Sequence, residues 1–160
     1  MVKMQPDWKR RQLETSIGPV CLAVDETGVT FLGFGCWEEP VAQEACSLLD
    51  QAERELSEYL CGLRRSFSVP LHPSGTDFQM RVWALLREIP YGRTVSYGEI
   101  ARRLGNPQAA RAVGLANNRN PICIMIPCHR VIGANGNLVG YGGGLPVKSA
   151  LLELEKRHVV

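Results

Sequence analysis

Ser96-Tyr97-Gly98-Glu99-Ile100-Ala101-Arg102-Arg103-Leu104-Gly105-Asn106-Pro107 is the stretch that decides how the second half of this chain folds. A serine followed three residues later by a glutamate is a capping box, in which each side chain satisfies an orphan backbone donor at the other residue. It predicts a short helix running through Leu104. Gly105 supplies a turn, and Asn106-Pro107 restarts a helix, with asparagine as the cap and proline at the first helical position. Two helices joined by such a turn form a helix-turn-helix. Upstream, Thr76-Asp77-Phe78-Gln79 is another capping box. It opens a helix carrying Phe78, Val82, Leu85, Leu86 and Ile89 on one face, and Pro90-Tyr91-Gly92 ends it.

In the helix after Pro107, Ala109, Ala112, Val113 and Ala116 fall on one stripe, small enough for close packing. Arg111, Gly114, Leu115 and Asn118 fall on the opposite side. A cation beside a glycine lets a partner approach the backbone while the guanidinium reaches further. Net charge is only +2, but residues 1–75 hold seven Lys and Arg against eleven Asp and Glu, and residues 76–160 hold eleven against five. A basic half that carries a helix-turn-helix points to nucleic acid.

The first half reads differently. Gln12 to Ser16, Val20 to Val24 and Val29 to Phe34 are strand-like runs, broken by Gly18-Pro19 and by Asp25-Glu26-Thr27-Gly28. From Pro40 to Leu63 the spacing of Ala45, Leu48, Leu49, Ala52, Leu56 and Leu60 predicts a helix, and Phe67 to Val69 a short strand. Pro70-Leu71-His72-Pro73-Ser74-Gly75 reads as a linker. The expected class is therefore α+β, with a sheet-and-helix domain over residues 1–75 and a helix-turn-helix domain over residues 76–160.

At 160 residues and 45% hydrophobic the chain can bury a core. No apolar run is long enough to span a bilayer, so no membrane partner is expected. Met1-Val2-Lys3-Met4-Gln5-Pro6-Asp7 lacks an apolar signal core, so a cytoplasmic location is expected. Six cysteines (Cys21, Cys36, Cys46, Cys61, Cys123 and Cys128) include no C-x-x-C pair, and five are expected to be reduced, mostly buried, small apolar side chains.

The sixth is the chemical feature of the chain. Pro127-Cys128-His129-Arg130-Val131 sets a thiol beside an imidazole, behind Ile122-Cys123-Ile124-Met125-Ile126. A cysteine is a strong nucleophile as thiolate, and a nearby histidine can hold it so. Glu155 is an acid that could orient that histidine. Gly140-Tyr141-Gly142-Gly143-Gly144-Leu145 follows, without the Lys-Ser/Thr ending of a phosphate loop. Two rival readings use the same residues: a helix-turn-helix binding module without chemistry, and a cysteine hydrolase using Cys128 and His129.

Taken with Arg111-Ala112-Val113-Gly114-Leu115-Ala116-Asn117-Asn118-Arg119-Asn120-Pro121 upstream, and Lys148, Leu151-Leu152 and Glu155 downstream, the series from Thr76 to Glu155 resembles the O(6)-alkylguanine-DNA alkyltransferase family. The resemblance implies an N-terminal antiparallel sheet plus helix of ribonuclease H-like kind and a C-terminal winged helix-turn-helix. It implies single-use repair, with the alkyl group of O(6)-alkylguanine, and also of O(4)-alkylthymine, moved from a flipped base onto Cys128. Within it, His129 and Glu155 form a proton relay through a water, Asn120 is a hinge that fixes the active segment, and Tyr97 donates to the leaving purine. Arg111 fills the gap left by the base. Gln79, Gly98, Asn106, Gly114 and Ala134 match DNA-contacting positions, and Tyr141, Gly142 and Gly143 wall the alkyl pocket. The implied partner is double-stranded DNA carrying alkylated guanine, met through the minor groove by a monomer. Some members bind zinc through N-terminal cysteines and histidines. His72, His129, His158 and the cysteines here do not reproduce that set, so no metal and no cofactor are expected.

Overall fold

Three consecutive strands pair in sequence order into an antiparallel sheet: β1 (Lys9–Thr15), β2 (Gly18–Val24) and β3 (Val29–Phe34). The computed structural model describes residues 5–159, so Met1 to Met4 of the N-terminal stretch lie outside the described residues. β2 is the central strand, and Val20 to Val24 are all buried, as expected of a strand covered on both faces. β1 starts three residues earlier than the apolar pattern suggests, because Lys9, Arg10 and Arg11 pair in register with Val24, Ala23 and Leu22.

The predicted helix from Pro40 is shorter in the structure. α1 spans Ser47–Leu60, and Cys46 before it is extended. Residues 40–46 instead lie beside β1, where Arg10 donates to the Pro40 carbonyl at 3.2 Å and Arg11 to that of Glu44 at 3.4 Å. Arg11 also reaches Asp50 and Glu53 of α1, at 2.9 and 3.0 Å. Leu49, Ala52, Leu56 and Tyr59 form the buried stripe of α1.

Glu55 lies on the same face. Its carboxylate accepts from the Ser68 and Val69 backbone N–H groups (2.8 and 3.1 Å), from Ser68 Oγ (2.7 Å) and from Gln51 (2.9 Å). Burial pushes its pKa up, but these donors outweigh it and hold the group at about 2. Ser68 and Val69 are thus bound to a side chain, and the strand expected at Phe67 to Val69 does not form. Pairing moves on to Leu71, whose neighbours bond Val29 on both sides: Val29 N to Pro70 O at 2.9 Å and His72 N to Val29 O at 2.7 Å. The expected linker at Pro70 to Gly75 is therefore stitched to the sheet over its first residues.

In the second half, α2 (Asp77–Leu86) opens with the predicted capping box, Gln79 N to Thr76 Oγ1 at 3.1 Å and Thr76 N to Gln79 Oε1 at 3.0 Å. α3 (Tyr97–Arg103) is capped by Ser96 Oγ, which accepts from Glu99 N at 3.1 Å; the return bond from Glu99 is not made. Gly105 turns the chain at φ 80°. The next helix, α4 (Ala110–Asn118), starts later than Asn106-Pro107 predicts. Asn106 spends its capping capacity on a preceding turn: its carbonyl accepts from Ala109 N at 3.0 Å and its side chain from Gln108 N at 3.3 Å. α4 buries Val113, Ala116 and Asn117, whereas Ala112, assigned to the packed stripe, is exposed. Trp83 locks α2 to α4 by donating to the Ala116 carbonyl at 2.9 Å.

A two-residue parallel pair, β4 (Val95–Ser96) with β5 (Val131–Ile132), ties the start of α3 to the chain just past Cys128. α5 (Leu145–His158) closes the fold and buries Lys148, Leu151, Leu154 and Glu155. Of the five cysteines other than Cys128, Cys21 and Cys123 are buried and Cys46 is partly so; Cys36 and Cys61 are exposed, contrary to the expectation of mostly buried thiols.

Glu55→Ala would leave the buried Val69 N–H and the part-buried Ser68 N–H unpaired, a loss of about 1–3 kcal/mol. Urea unfolding of the variant is expected to show that loss. An unchanged midpoint would mean that solvent reaches the Ser68–Val69 turn.

Candidate active site

The Cys128 segment is built by a tight irregular path. Leu32 of β3 brackets its approach, Leu32 N to Pro121 O and Cys123 N to Leu32 O, both at 2.9 Å. Asn120 then spans the loop from inside, accepting from Ile122 N at 3.0 Å and donating to Ile126 O at 2.8 Å. Ile124 sits at φ 73°, a conformation costly for a β-branched residue. Cys128 opens a 3-10 turn through Arg130 and is 3% exposed. Its carbonyl accepts from Asn117 of α4 at 3.4 Å, so the helix-turn-helix touches the backbone of Cys128 itself.

The residues after Cys128 enter a buried polar cluster. His129 is fully buried, and its Nε2 lies 2.7 Å from Glu155 Oε2. Donation from Nε2 leaves Nδ1 as an acceptor, and Nδ1 is buried with no protein partner. Glu155 also accepts from Arg130 Nε and one terminal nitrogen (both 2.9 Å), from the Gly92 backbone (3.0 Å) and from the Tyr59 hydroxyl (2.6 Å). The Tyr59 oxygen is also 3.4 Å from His129 Nε2. Arg130 is completed by the Ile89 carbonyl at 2.7 Å.

Burial pushes the Glu155 carboxyl up, yet His129 and Arg130 hold it at about 2. Burial also lowers His129, against the pull of Glu155, so the imidazole is neutral at pH 7. Tyr59 is raised far above its ordinary value, first by burial and then by Glu155, and stays a phenol. The Cys128 thiol is drawn below its ordinary value, foremost by the Cys123 thiol and further by Asn120 and the Lys148 ammonium, against burial. Lys148 is fully buried and donates to the Val131 and Val139 carbonyls at 2.7 and 2.8 Å.

The mouth of the site carries the remaining expected residues. The Tyr97 hydroxyl donates to Val139 O at 3.2 Å, and the Tyr97 ring lies 3.8 Å from where a side chain on Gly114 would begin. Tyr141 stacks obliquely on Phe34 of β3 at 5.6 Å, and its buried hydroxyl has no hydrogen-bond partner; burial first, and Cys128 next, raise its pKa far above the ordinary value. A side chain on Gly142 would meet open space; one on Gly143 would strike the Phe34 ring at 2.8 Å. Gly143 is therefore a packing glycine more than an open wall.

Arg111 is exposed on α4 with Ala112, Leu115 (60% exposed) and Asn118. Ala134 is exposed in a turn closed by Gly133 N to Asn137 O at 2.8 Å. Gln79 has its side chain and its N–H both engaged with Thr76, as the predicted capping box requires. Asn106 does not stand at a helix start. The structure brings Cys128, Asn120, Tyr97 and Tyr141 to one place, with His129 and Glu155 behind, and spreads Arg111, Asn106 and Ala134 over the surface.

Sequence reasoning missed Tyr59, Arg130, Asn117 and Cys123, and assigned Lys148 no role. Lys148, Leu151 and Glu155 at i, i+3 and i+7 were a legible clue, since that spacing puts both charges on one buried face. No local pattern marks Tyr59, which reaches Glu155 across 96 positions.

The fold and site define an α+β protein in which a helix-turn-helix presents a buried, activated cysteine backed by a His–Glu pair. Comparison with known proteins makes this specific. The 6-O-methylguanine DNA methyltransferase DNA binding domain matches residues 77–157, and the ribonuclease-like domain of the same proteins matches residues 9–73. The methylated-DNA–protein-cysteine methyltransferase of Methanosarcina acetivorans is 52% identical over 147 residues, 89% of this chain and 94% of its own. That of Mycobacterium leprae is 59% identical over 110 residues, 69% of this chain and 67% of its own. Among solved structures, Mycobacterium tuberculosis OGT in complex with DNA superposes with a TM-score of 0.85 at 48% identity, over 94% of each chain. The Methanococcus jannaschii O6-methylguanine DNA methyltransferase gives 0.71 at 26% identity, over 94% of this chain and 95% of its own. The chain belongs to the 6-O-methylguanine DNA methyltransferase family.

The site also sets a pH dependence of stability. The unfolded chain binds a proton on His129 below about pH 6.5 and on Glu155 below about pH 4.3, while the folded chain resists both. Stability rises with pH wherever the unfolded state binds more protons, so it must fall as pH drops through these values. Urea midpoints are expected to hold from about pH 8 to 7, fall below about 6.5, and fall more steeply below about 4.3. A midpoint that rises between about pH 6 and 4 would contradict the neutral-imidazole, ionised-carboxylate assignment.

Proposed function

We propose that this protein repairs alkylated DNA by moving the alkyl group from O(6) of guanine onto Cys128, once per molecule. The observation that carries the reading is a nearly buried, acidified thiol whose neighbouring imidazole is held through Nε2 by a carboxylate. With Nε2 committed to Glu155, His129 Nδ1 can take the thiol proton through a bridging water, following the logic by which a third group orients a base. The thiolate attacks the alkyl carbon in line, the C–O6 bond breaks, and the purine leaves with charge developing on it. Tyr97 is the donor to that charge, giving up Val139 O for the base. The product is a thioether that no group here can hydrolyse, so one protein repairs one lesion.

DNA is the partner. The reading adds double-stranded substrate, minor-groove approach and a monomeric protein, and it is supported by the shape of the exposed face of α4. Ala112 and Gly114 let the backbone come close, while Arg111 and the exposed Leu115 fill the space of an extruded base. Gly98 and Ala134 are the closest-approach positions beside it, with Gln79 and Asn106 at the margin. Residues 1–75 act as the supporting domain and residues 76–160 as the DNA-binding and acceptor domain. No helix among the described residues is long and apolar enough to cross a membrane, and we place the protein in the cytoplasm.

Incubation with a duplex carrying one O(6)-methylguanine should add one methyl to the intact protein, saturating at one and mapping to Cys128. Cys128→Ala should bind the same duplex and gain nothing. Continued turnover would point to the hydrolase reading, and binding without any gain to a recognition module. The open space at Gly142 further predicts that a benzyl adduct transfers at a rate within about tenfold of methyl, a difference of about 1.4 kcal/mol; a rate orders of magnitude slower would remove that pocket assignment.

A further inference from the structure

Cys123 is the one thiol that the repair chemistry does not need and yet meets its nucleophile. It stands five positions before Cys128, and the chain between them is folded back on itself. Ile126 N donates to Ile122 O at 3.0 Å, Met125 N to Cys123 O at 2.8 Å, and Cys128 N to Ile126 O at 2.7 Å. Cys123 and Ile126 form an isolated bridge, and Ile124 is driven to φ 73° at the tip. The strained reversal sets Asn120 between the two positions: Cys123 Sγ lies 3.8 Å from its carbonyl, its side chain bonds Ile122 N and Ile126 O, and it helps draw the Cys128 thiol down. Each thiol is the foremost influence on the other's acidity, Cys123 being raised and Cys128 lowered. Both keep a sliver of accessible surface, 9% at Cys123 and 3% at Cys128.

We propose that Cys123 is a resolving cysteine, which under peroxide closes a reversible disulfide with Cys128 and so shelters the acceptor from irreversible oxidation. The Cys128 thiolate attacks one peroxide oxygen, the O–O bond breaks, and sulfenic acid and hydroxide form. Cys123 sulfur then attacks the Cys128 sulfur, the S–O bond breaks, and water leaves with the Cys123 proton. Two thiols are oxidised and one peroxide is reduced, and a dithiol returns both. An acidified thiolate beside a second thiol is the arrangement that redox-sensing cysteines share. A single-use acceptor gains most from it, since each sulfinic acid formed would remove one repair event. The disulfide rests on the two thiols alone; its protective value rests on Cys128 being the alkyl acceptor.

Both cysteines fall in one tryptic peptide, Asn120 to Arg130. After a short hydrogen peroxide pulse that peptide is expected to lose two hydrogens, and dithiothreitol to restore them together with methyl uptake from the O(6)-methylguanine duplex. In Cys123→Ser, and in Cys123→Ala as a second variant, the same pulse should instead add two or three oxygens at Cys128 that dithiothreitol does not remove. A wild-type peptide that gains oxygens at the variants' rate, or a disulfide mapping to another pair, would overturn the proposal. Untreated wild-type protein that takes up no methyl would overturn the acceptor reading alone, leaving the disulfide result to stand or fall separately.

Discussion

One buried carboxylate organises this molecule. Glu155 is 1% exposed and receives His129, Arg130, Tyr59 and the Gly92 backbone, donors drawn from three separate stretches of chain. A charge so deeply buried is tolerable only when paired and fully hydrogen-bonded, and removing a partner commonly costs about 3–5 kcal/mol. The constraint therefore runs both ways. The carboxylate keeps its partners in place, and they keep it ionised. The orientation of His129, and with it the unpartnered Nδ1, follows from that arrangement.

The same carboxylate explains how the N-terminal half takes part. Tyr59 of α1 hydrogen-bonds it directly, Leu32 of β3 grips the chain on either side of Ile122, and Phe34 packs against Tyr141 and the Gly143 backbone. Three side chains or backbones from the sheet-and-helix half thus border the acceptor segment from below, while Asn117 of α4 meets it from above. Cys128 sits where the two halves join, and both must be folded for it to be held. Tyr59 thus shares in holding the His129–Glu155 pair.

Much of this was legible in the sequence wherever the signal was local. The α+β class, the strand order, the Thr76 capping box and the Gly105 turn each rest on a few neighbouring residues and a known backbone requirement. The errors arose where a distant group outcompeted local preference. Arg10 and Arg11 claim the carbonyls that would have extended α1, and Glu55 claims the N–H groups of a strand at Ser68 and Val69. Asn106 caps a turn before α4 and so delays its start. The packed stripe of α4 was misread by one position because Ala112 is equally compatible with either face. In the site, the Cys128-His129 pair stands out in the sequence and Asn120 and Glu155 were reached through the family resemblance, whereas Tyr59 and Asn117 act through tertiary contact and leave no local trace.

The central claim is that the Glu155 network, reaching into α1, sets the reactivity of Cys128. Tyr59→Phe tests it most directly, because it deletes one oxygen from the network and leaves the DNA-facing surface untouched. Single-turnover methyl transfer from an O(6)-methylguanine duplex, measured across pH beside the DNA dissociation constant, should slow by about tenfold, or about 1.4 kcal/mol of barrier, with its pH profile displaced and DNA affinity unchanged. A variant that transfers methyl at the wild-type rate with the same pH profile would show that Glu155 and His129 need nothing from the N-terminal half.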